Sequence, residues 1–159
     1  LQNPACVSKT PPKKSLPLPH QPSNQPLTMQ LINTPLLDTI TAQAKQSPRL
    51  RMNHNFHESP ESKSQRLLNA MEPDTIMPIH RHLQSDETQI LLRGKIEVTA
   101  YNDKKEVTER YILGSATGNY GVNIPKGQWH SLKVIESGSV IFEAKDGPYI
   151  PYNENDIKK

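Results

Sequence analysis

One cysteine, Cys6, is all the thiol that the 159 residues carry. An internal disulfide is excluded, and without a Cys-x-x-Cys pair there is no basis for a thiolate zinc site or a dithiol redox couple. Long apolar runs are missing as well: none approaches the ~20 residues a helix needs to cross a bilayer. Nor does the N-terminal stretch contain the continuous apolar core of a secretory signal. The expectation is a cytoplasmic protein with no membrane insertion. Clustered positive charge is also scarce. The formal charge of +3 traces to Lys9, Lys13 and Lys14, because residues 1–28 hold these three bases and no acid. Removing them from 19 basic residues leaves 16 against 16 acidic residues. With no Arg/Lys stripe interleaved with aromatics in that neutral remainder, a nucleic-acid partner is not expected. No internal repeat is evident.

Proline is plentiful at one end, where seven of the fifteen fall within residues 1–28. That stretch also lacks apolar periodicity, so it is expected to be a disordered Pro-rich tail, either a flexible linker or an upstream extension before a natural start at Met29. From Met29 the texture changes. Thr34 is suited to cap a helix with Pro35 in its first turn, and Leu36, Leu37, Ile40 and Ala44 follow at helical spacing. The spacing predicts a helix from about Pro35 to Gln46. A second cap-then-proline signal, Ser59-Pro60-Glu61, precedes "SKSQRLLNAM", whose Leu67, Leu68 and Met71 predict a second short helix ending before Pro73.

Beyond Pro73 the pattern is that of strands. "TQILLRG", "KIEVTAY", "VTERYIL", "YGVNIP", "WHSLKVI" and "SVIFEAK" are short and rich in β-branched and aromatic residues, with turn chemistry between them. The expected fold is a mainly β, single-domain, jelly-roll-like barrel with one or two short N-terminal helices. Residues 29–72 are expected as a helical segment packed on the barrel, 73–150 as the barrel and 151–159 as a C-terminal tail.

Chemistry concentrates in "PIHRHLQSDETQILLRG". On a strand, residues i and i+2 leave the same face, so His80 and His82 point the same way. Glu87 can return beside them after the Gln84-Ser85-Asp86 turn. In "PKGQWH", His130 follows the Pro125-Lys126-Gly127 turn and can approach from another strand. Three neutral imidazoles and one carboxylate suit one divalent transition metal ion, with Fe, Mn, Ni or Zn all compatible.

His80-x-His82, four residues, Glu87, six residues, Gly94 resembles the first cupin motif, and Pro125-x-Gly127-x2-His130 resembles the second. The resemblance implies a small β-barrel with those four side chains as metal ligands. Asp74, Gly118 and Val134 stand where stricter forms of the motifs differ, and none of these departures removes a ligand. From Met29 to about Tyr149 the order "LINTPLLD", "SPRLRMNHNFH", "QRLLNAM", "MPIHRH", "LLRGKIEV", "IPKGQWHS" and "FEAKDGPY" is similar to the WbuC family of cupin-fold metalloproteins, often encoded among lipopolysaccharide O-antigen genes. It implies fold and site better than reaction, and cupins often pair, so a homodimer is expected.

"RLRMNHNFH" reads in two ways. It is a solvated polar loop, or it borders a pocket in which Arg49 or Arg51 grips an anionic group while Asn53, Asn55 or His57 bonds hydroxyls. Trp129 is expected to pack at the rim rather than to stack on sugars. Tyr149 and Tyr152 either dock the C-terminal segment or cover the barrel mouth. Two functions follow. One is a metal-dependent enzyme, an isomerase, epimerase or dioxygenase, acting on a sugar, sugar nucleotide or other small oxygen-rich molecule, with His57 moving a proton. The other is a non-catalytic metal- or ligand-binding module.

Overall fold

Near Asn33 begins the one α-helix among the described residues. In the computed structural model, which describes residues 28–158, helix α1 spans Thr34–Gln46. The cap is Asn33 rather than Thr34: its side chain accepts the Leu36 N–H at 3.2 Å, with Pro35 inside the first turn. A cap of this kind contributes about 1 kcal/mol. Leu37, Ile40, Thr41 and Ala44 form the buried face, and sinking a side chain the size of Ile40 is favourable by roughly 1.5–3 kcal/mol.

Ten strands follow: β1 (Arg51–Asn55), β2 (Ser64–Met71), β3 (Ile79–His80), β4 (Glu87–Arg93), β5 (Ile96–Tyr101), β6 (Val107–Leu113), β7 (Gly121–Ile124), β8 (Trp129–Val134), β9 (Ser139–Asp146) and β10 (Ile157–Lys158). They form two antiparallel five-stranded sheets, ordered β1-β2-β9-β4-β7 and β10-β3-β8-β5-β6. Met71, Ile96, Val98, Leu113, Ile124, Leu132, Val134 and Ile141 fill the space between them. A second core lies on the outer face of the first sheet, where Leu37, Ile40 and Ala44 of α1 meet Leu68, Ala70 and Val140. The helix and all ten strands belong to the unit Leu31–Lys159.

The six strands expected beyond Pro73 are present as β4 to β9. The second predicted helix is not: Ser64–Met71 is a strand paired with β1 on one side and β9 on the other. Its apolar residues serve two cores at once, Met71 facing the barrel while Leu68 and Ala70 face α1. A strand buried on both faces shows no alternation, and its unbroken run imitates a short buried helix. Likewise "RLRMNHNFH" is not merely a loop, since five of its residues form edge strand β1. The segment expected as a tail from 151 supplies β10, which pairs with β3. Expectations for residues 1–27 lie outside the described residues.

Two devices hold the layers in register. Arg93 donates to Asp38 Oδ1 at 2.6 Å, to Thr41 Oγ1 at 2.6 Å, to the Leu37 carbonyl at 3.0 Å and to the Gly138 carbonyl at 3.2 Å, so one guanidinium fastens α1 to the barrel. Gly94 ends β4 with φ +86°, and a Cβ there would lie 2.8 Å from Ser139 Cα. The position therefore requires glycine twice over, for its backbone angle and for the close approach. No helix among the described residues is long and apolar enough to cross a membrane.

Candidate metal centre

The two histidine motifs are brought together by bonds from main-chain N–H groups. The Gly127 N–H donates to the His82 carbonyl at 2.6 Å and the Lys126 N–H to Asp86 Oδ1 at 2.8 Å, joining the turn before His130 to the loop after His82. His80 pairs with His130 across β3 and β8. Strand β3 is short and His82 lies beyond its end, yet the alternation implied by "IHRH" persists in the side chains. Between the two histidines, Arg81 stacks its guanidinium over Trp129, 4.3 Å from the ring centroid, and pairs with Asp156 at 3.3 Å. Trp129 is buried, with its indole N–H on Asp103 at 2.9 Å.

The ligand atoms of His80, His82 and His130 lie within 4.8 Å of one another. His80 Nδ1 is 2.9 Å from the Pro78 carbonyl and His130 Nδ1 is 2.9 Å from the Gln128 carbonyl. A carbonyl only accepts, so both Nδ1 atoms carry the proton and both Nε2 atoms present a lone pair. His130 is only 2% exposed. Its Nε2 has no hydrogen-bond partner among the described residues, and Glu87 Oε1 is 4.0 Å away, beyond bonding reach. A buried, unpaired acceptor is costly unless something electrophilic sits against it. The donor set, three imidazoles with a carboxylate beside them, fits a divalent transition metal ion.

Burial, followed by the neighbouring His130, lowers the His80 pKa to about 4. Burial likewise pushes His130 down. Glu87 is buried too, which alone would raise its pKa, but the His82 hydrogen bond and the Lys145 ammonium overcome this and hold the carboxyl well below its ordinary range. His82 Nε2 is 2.7 Å from Glu87 Oε2, and Gln89 Nε2 donates to Glu87 Oε1 at 2.5 Å. His80 and His130 are thus held neutral and Glu87 ionised, as cation ligation by these three requires,.

Residues expected at a pocket border do share a cavity. About 410 Å³ of space is lined by Arg49, Arg51, Asn53, Asn55 and His57, together with Asn69, Glu143, Lys145 and Tyr152. Arg51 donates to the Ile76 carbonyl at 3.1 Å. His57 Nδ1 lies 3.1 Å from the Arg66 amide nitrogen and 3.0 Å from the Arg66 carbonyl oxygen, and among the described residues His57 makes no hydrogen bond to the histidine cluster. Asn69 is buried, and its Oδ1 lacks a partner among the described residues. A more apolar cavity of about 380 Å³ opens between β6 and β7, lined by Val98, Ala100, Tyr111, Leu113, Val122, Ile124 and His130.

Lys145, Glu143 and Gln89 escape sequence reasoning, and Tyr152 is expected only to dock the C-terminal segment or cover the barrel mouth, not to reach His82. A signal existed for the first two: Ile141, Glu143 and Lys145 alternate along β9 on the face that looks into the barrel. Their charges are legible as a site only once Glu87 is known to lie opposite Lys145 and Gln89 opposite Glu143. Tyr152 gives no local signal, since its contact with His82 is 70 residues distant.

A family model described as Domain of unknown function (DUF6016) matches residues 32–113. No curated protein matches the chain. Among solved structures, KdgF from Halomonas sp. aligns at 14% identity over 63% of this chain and 82% of its own, TM-score 0.50. The conserved SPY1581 protein of unknown function from Streptococcus pyogenes aligns at 14% identity over 67% and 86%, TM-score 0.50. The Cnp3 cupin domain of Schizosaccharomyces pombe aligns at 16% identity over 60% of each chain, TM-score 0.49. At such identities the likeness is one of fold, and the fold is the cupin β-barrel.

Proposed function

The chain belongs to the family designated DUF6016, and from the cluster inside its barrel we propose that it is a metal-dependent cupin enzyme acting on a small oxygen-rich substrate. The observation that carries this reading is the buried Nε2 of His130, which has no hydrogen-bond partner among the described residues, in a histidine that converges with His80 and His82. His80, His82, His130 and Glu87 are the proposed ligands of one ion, with Fe, Mn, Ni or Zn as candidates. When bound, such an ion supplies Lewis acidity toward a carbonyl or vicinal hydroxyls, or activates water.

The chain's own residues supply the rest. Arg49 and Arg51 are assigned to an anionic group of the substrate, and Asn53 and Asn55 to its hydroxyls. His57 has Nδ1 engaged by the Arg66 amide, so a proton-carrying role falls to its Nε2 at the cavity edge. Isomerisation, epimerisation and dioxygenation all use such a donor set. The resemblance to the WbuC family supports a sugar or sugar nucleotide of O-antigen assembly as the substrate, a cytoplasmic setting and a homodimer. One observation favours the alternative of a non-catalytic ligand-binding module, namely the lack, among the described residues, of a hydrogen bond between His57 and the histidine cluster.

Elemental analysis of protein purified without a metal-affinity step, beside the His80→Ala/His82→Ala double variant, tests the proposal. Near-stoichiometric metal in the wild type that is lost from the variant is the expected result. Metal absent from both after reconstitution defeats it. Turnover lost in His57→Gln with metal retained separates the enzyme from the binding module.

A further inference from the structure

Tyr152 lies in the segment after β9, and three ties fix where that segment runs. Strand β10 places Ile157 opposite His80. Asp156 pairs with the Arg81 guanidinium at 3.3 Å and accepts the Arg81 N–H on its carbonyl at 3.1 Å. The Tyr149 N–H donates to the Pro60 carbonyl at 2.7 Å. Held from both sides, the Tyr152 ring sits edge-on to His80 at 5.0 Å between centroids and tilted against His82 at 5.4 Å.

Its hydroxyl does more than packing requires. The phenol oxygen is 3.5 Å from Nε2 of His82, one of the three clustered histidines. The residue is still 39% exposed and lines the same cavity as Arg51, Asn69 and Lys145. A docking residue needs only the ring, whereas this one also carries an O–H to the boundary between the imidazoles and the cavity. Lys145 is already engaged by Glu87 and Glu143, so the preference for an anion rests on Arg49 and Arg51 of the cavity wall, and a hydrogen bond to an anion is stronger than one to a neutral group.

We infer that the Tyr152 hydroxyl donates to the anionic atom of a small ligand, a carboxylate, an enolate or a simple inorganic anion, that enters from this cavity beside the ion. The assignment rests on the metal reading proposed above. It makes Tyr152 a residue that touches substrate and gives the C-terminal segment a share in binding.

The test uses the full chain loaded with cobalt(II), with azide as the probe, followed by visible absorption at one fixed pH. Tyr152→Phe keeps the ring and removes the donor. It is expected to retain wild-type cobalt content and to weaken azide about tenfold, the usual cost of one hydrogen bond to a charged group. Tyr120→Phe, on the exposed approach to β7, is the control and should bind azide as the wild type does. Equal azide affinity in Tyr152→Phe and wild type overturns the inference, as does cobalt-loaded wild type whose spectrum azide never perturbs. A charge-transfer band in ferric-loaded wild type that vanishes in Tyr152→Phe also overturns it, by making the phenolate a ligand. Failure of the wild type to take up cobalt at all defeats the metal reading instead, so the two failures are distinguishable.

Discussion

Lys145 and Glu87 stand directly opposite each other on β9 and β4, with Nζ 3.4 Å from Oε2. The same ammonium reaches Glu143 at 2.9 Å, so two carboxylates share one cation. Although burial works against it, the pair of acids holds Lys145 firmly protonated. Glu143, by contrast, is pushed up by burial and then by the Glu87 charge. Lys145 therefore supplies part of the positive charge that a divalent ion would supply from the other side of Glu87.

Replacing Lys145 with Met should destabilise the metal-free protein by about 3 kcal/mol, because two buried acids lose their common partner. Added metal should recover much of that loss. Thermal melts with and without metal are expected to show a larger metal-induced rise in Tm for the variant than for the wild type. Equal rises would mean that the ammonium and the ion act on different charges.

His82→Ala should lower metal affinity more than about 100-fold, exceeding the usual effect of disturbing a ligand's supporting partner. Since His82 lies outside the apolar core, urea unfolding of the metal-free variant should differ from wild type by about 1 kcal/mol or less. Calorimetric metal titration beside urea melts separates the two effects.

Metal-free stability should fall in mild acid. His80 titrates at about 4 in the folded protein and near 6.5 when unfolded. Between these values only the unfolded chain takes the proton. The contribution, on the order of 3 kcal/mol, is fully present above pH 6.5 and is lost as pH falls through 4. The depressed carboxyl of Glu87 carries the loss further into acid. Urea unfolding in chelator at pH 7.5, 6 and 4.5 checks the slope, and a flat profile would exclude a buried neutral His80.

Arg93→Ala should cost about 2 kcal/mol by releasing α1 from the barrel, given four hydrogen bonds to one charged group,. Metal content should be unchanged. Hydrogen exchange is expected to rise first in Thr34–Gln46.

Much of this was legible because alternation and turn chemistry are local. Val98 and Ala100 announce a strand with one buried face, and His80-x-His82 announces two side chains on one side of it. What stayed hidden depends on a second layer. Leu67 and Leu68 look helical until both faces of β2 are seen to be covered, one by the barrel and one by α1. Asn53 and Asn55 look like loop residues because an edge strand with an open face need not alternate apolar and polar. Lys145 and Tyr152 join the site through pairings between distant segments, and no window of sequence contains both partners.

The tie between Arg81 and Asp156 joins residues 75 apart, and His80 meets His130 only when β8 has docked on β3. The centre is therefore built from contacts of high sequence separation, the kind that form late because loop closure must precede their reward. On a ribosome the ligands of "PIHRH" emerge long before the strands that orient them. Tight capture of an ion by this cluster would then follow closure of the barrel rather than precede it.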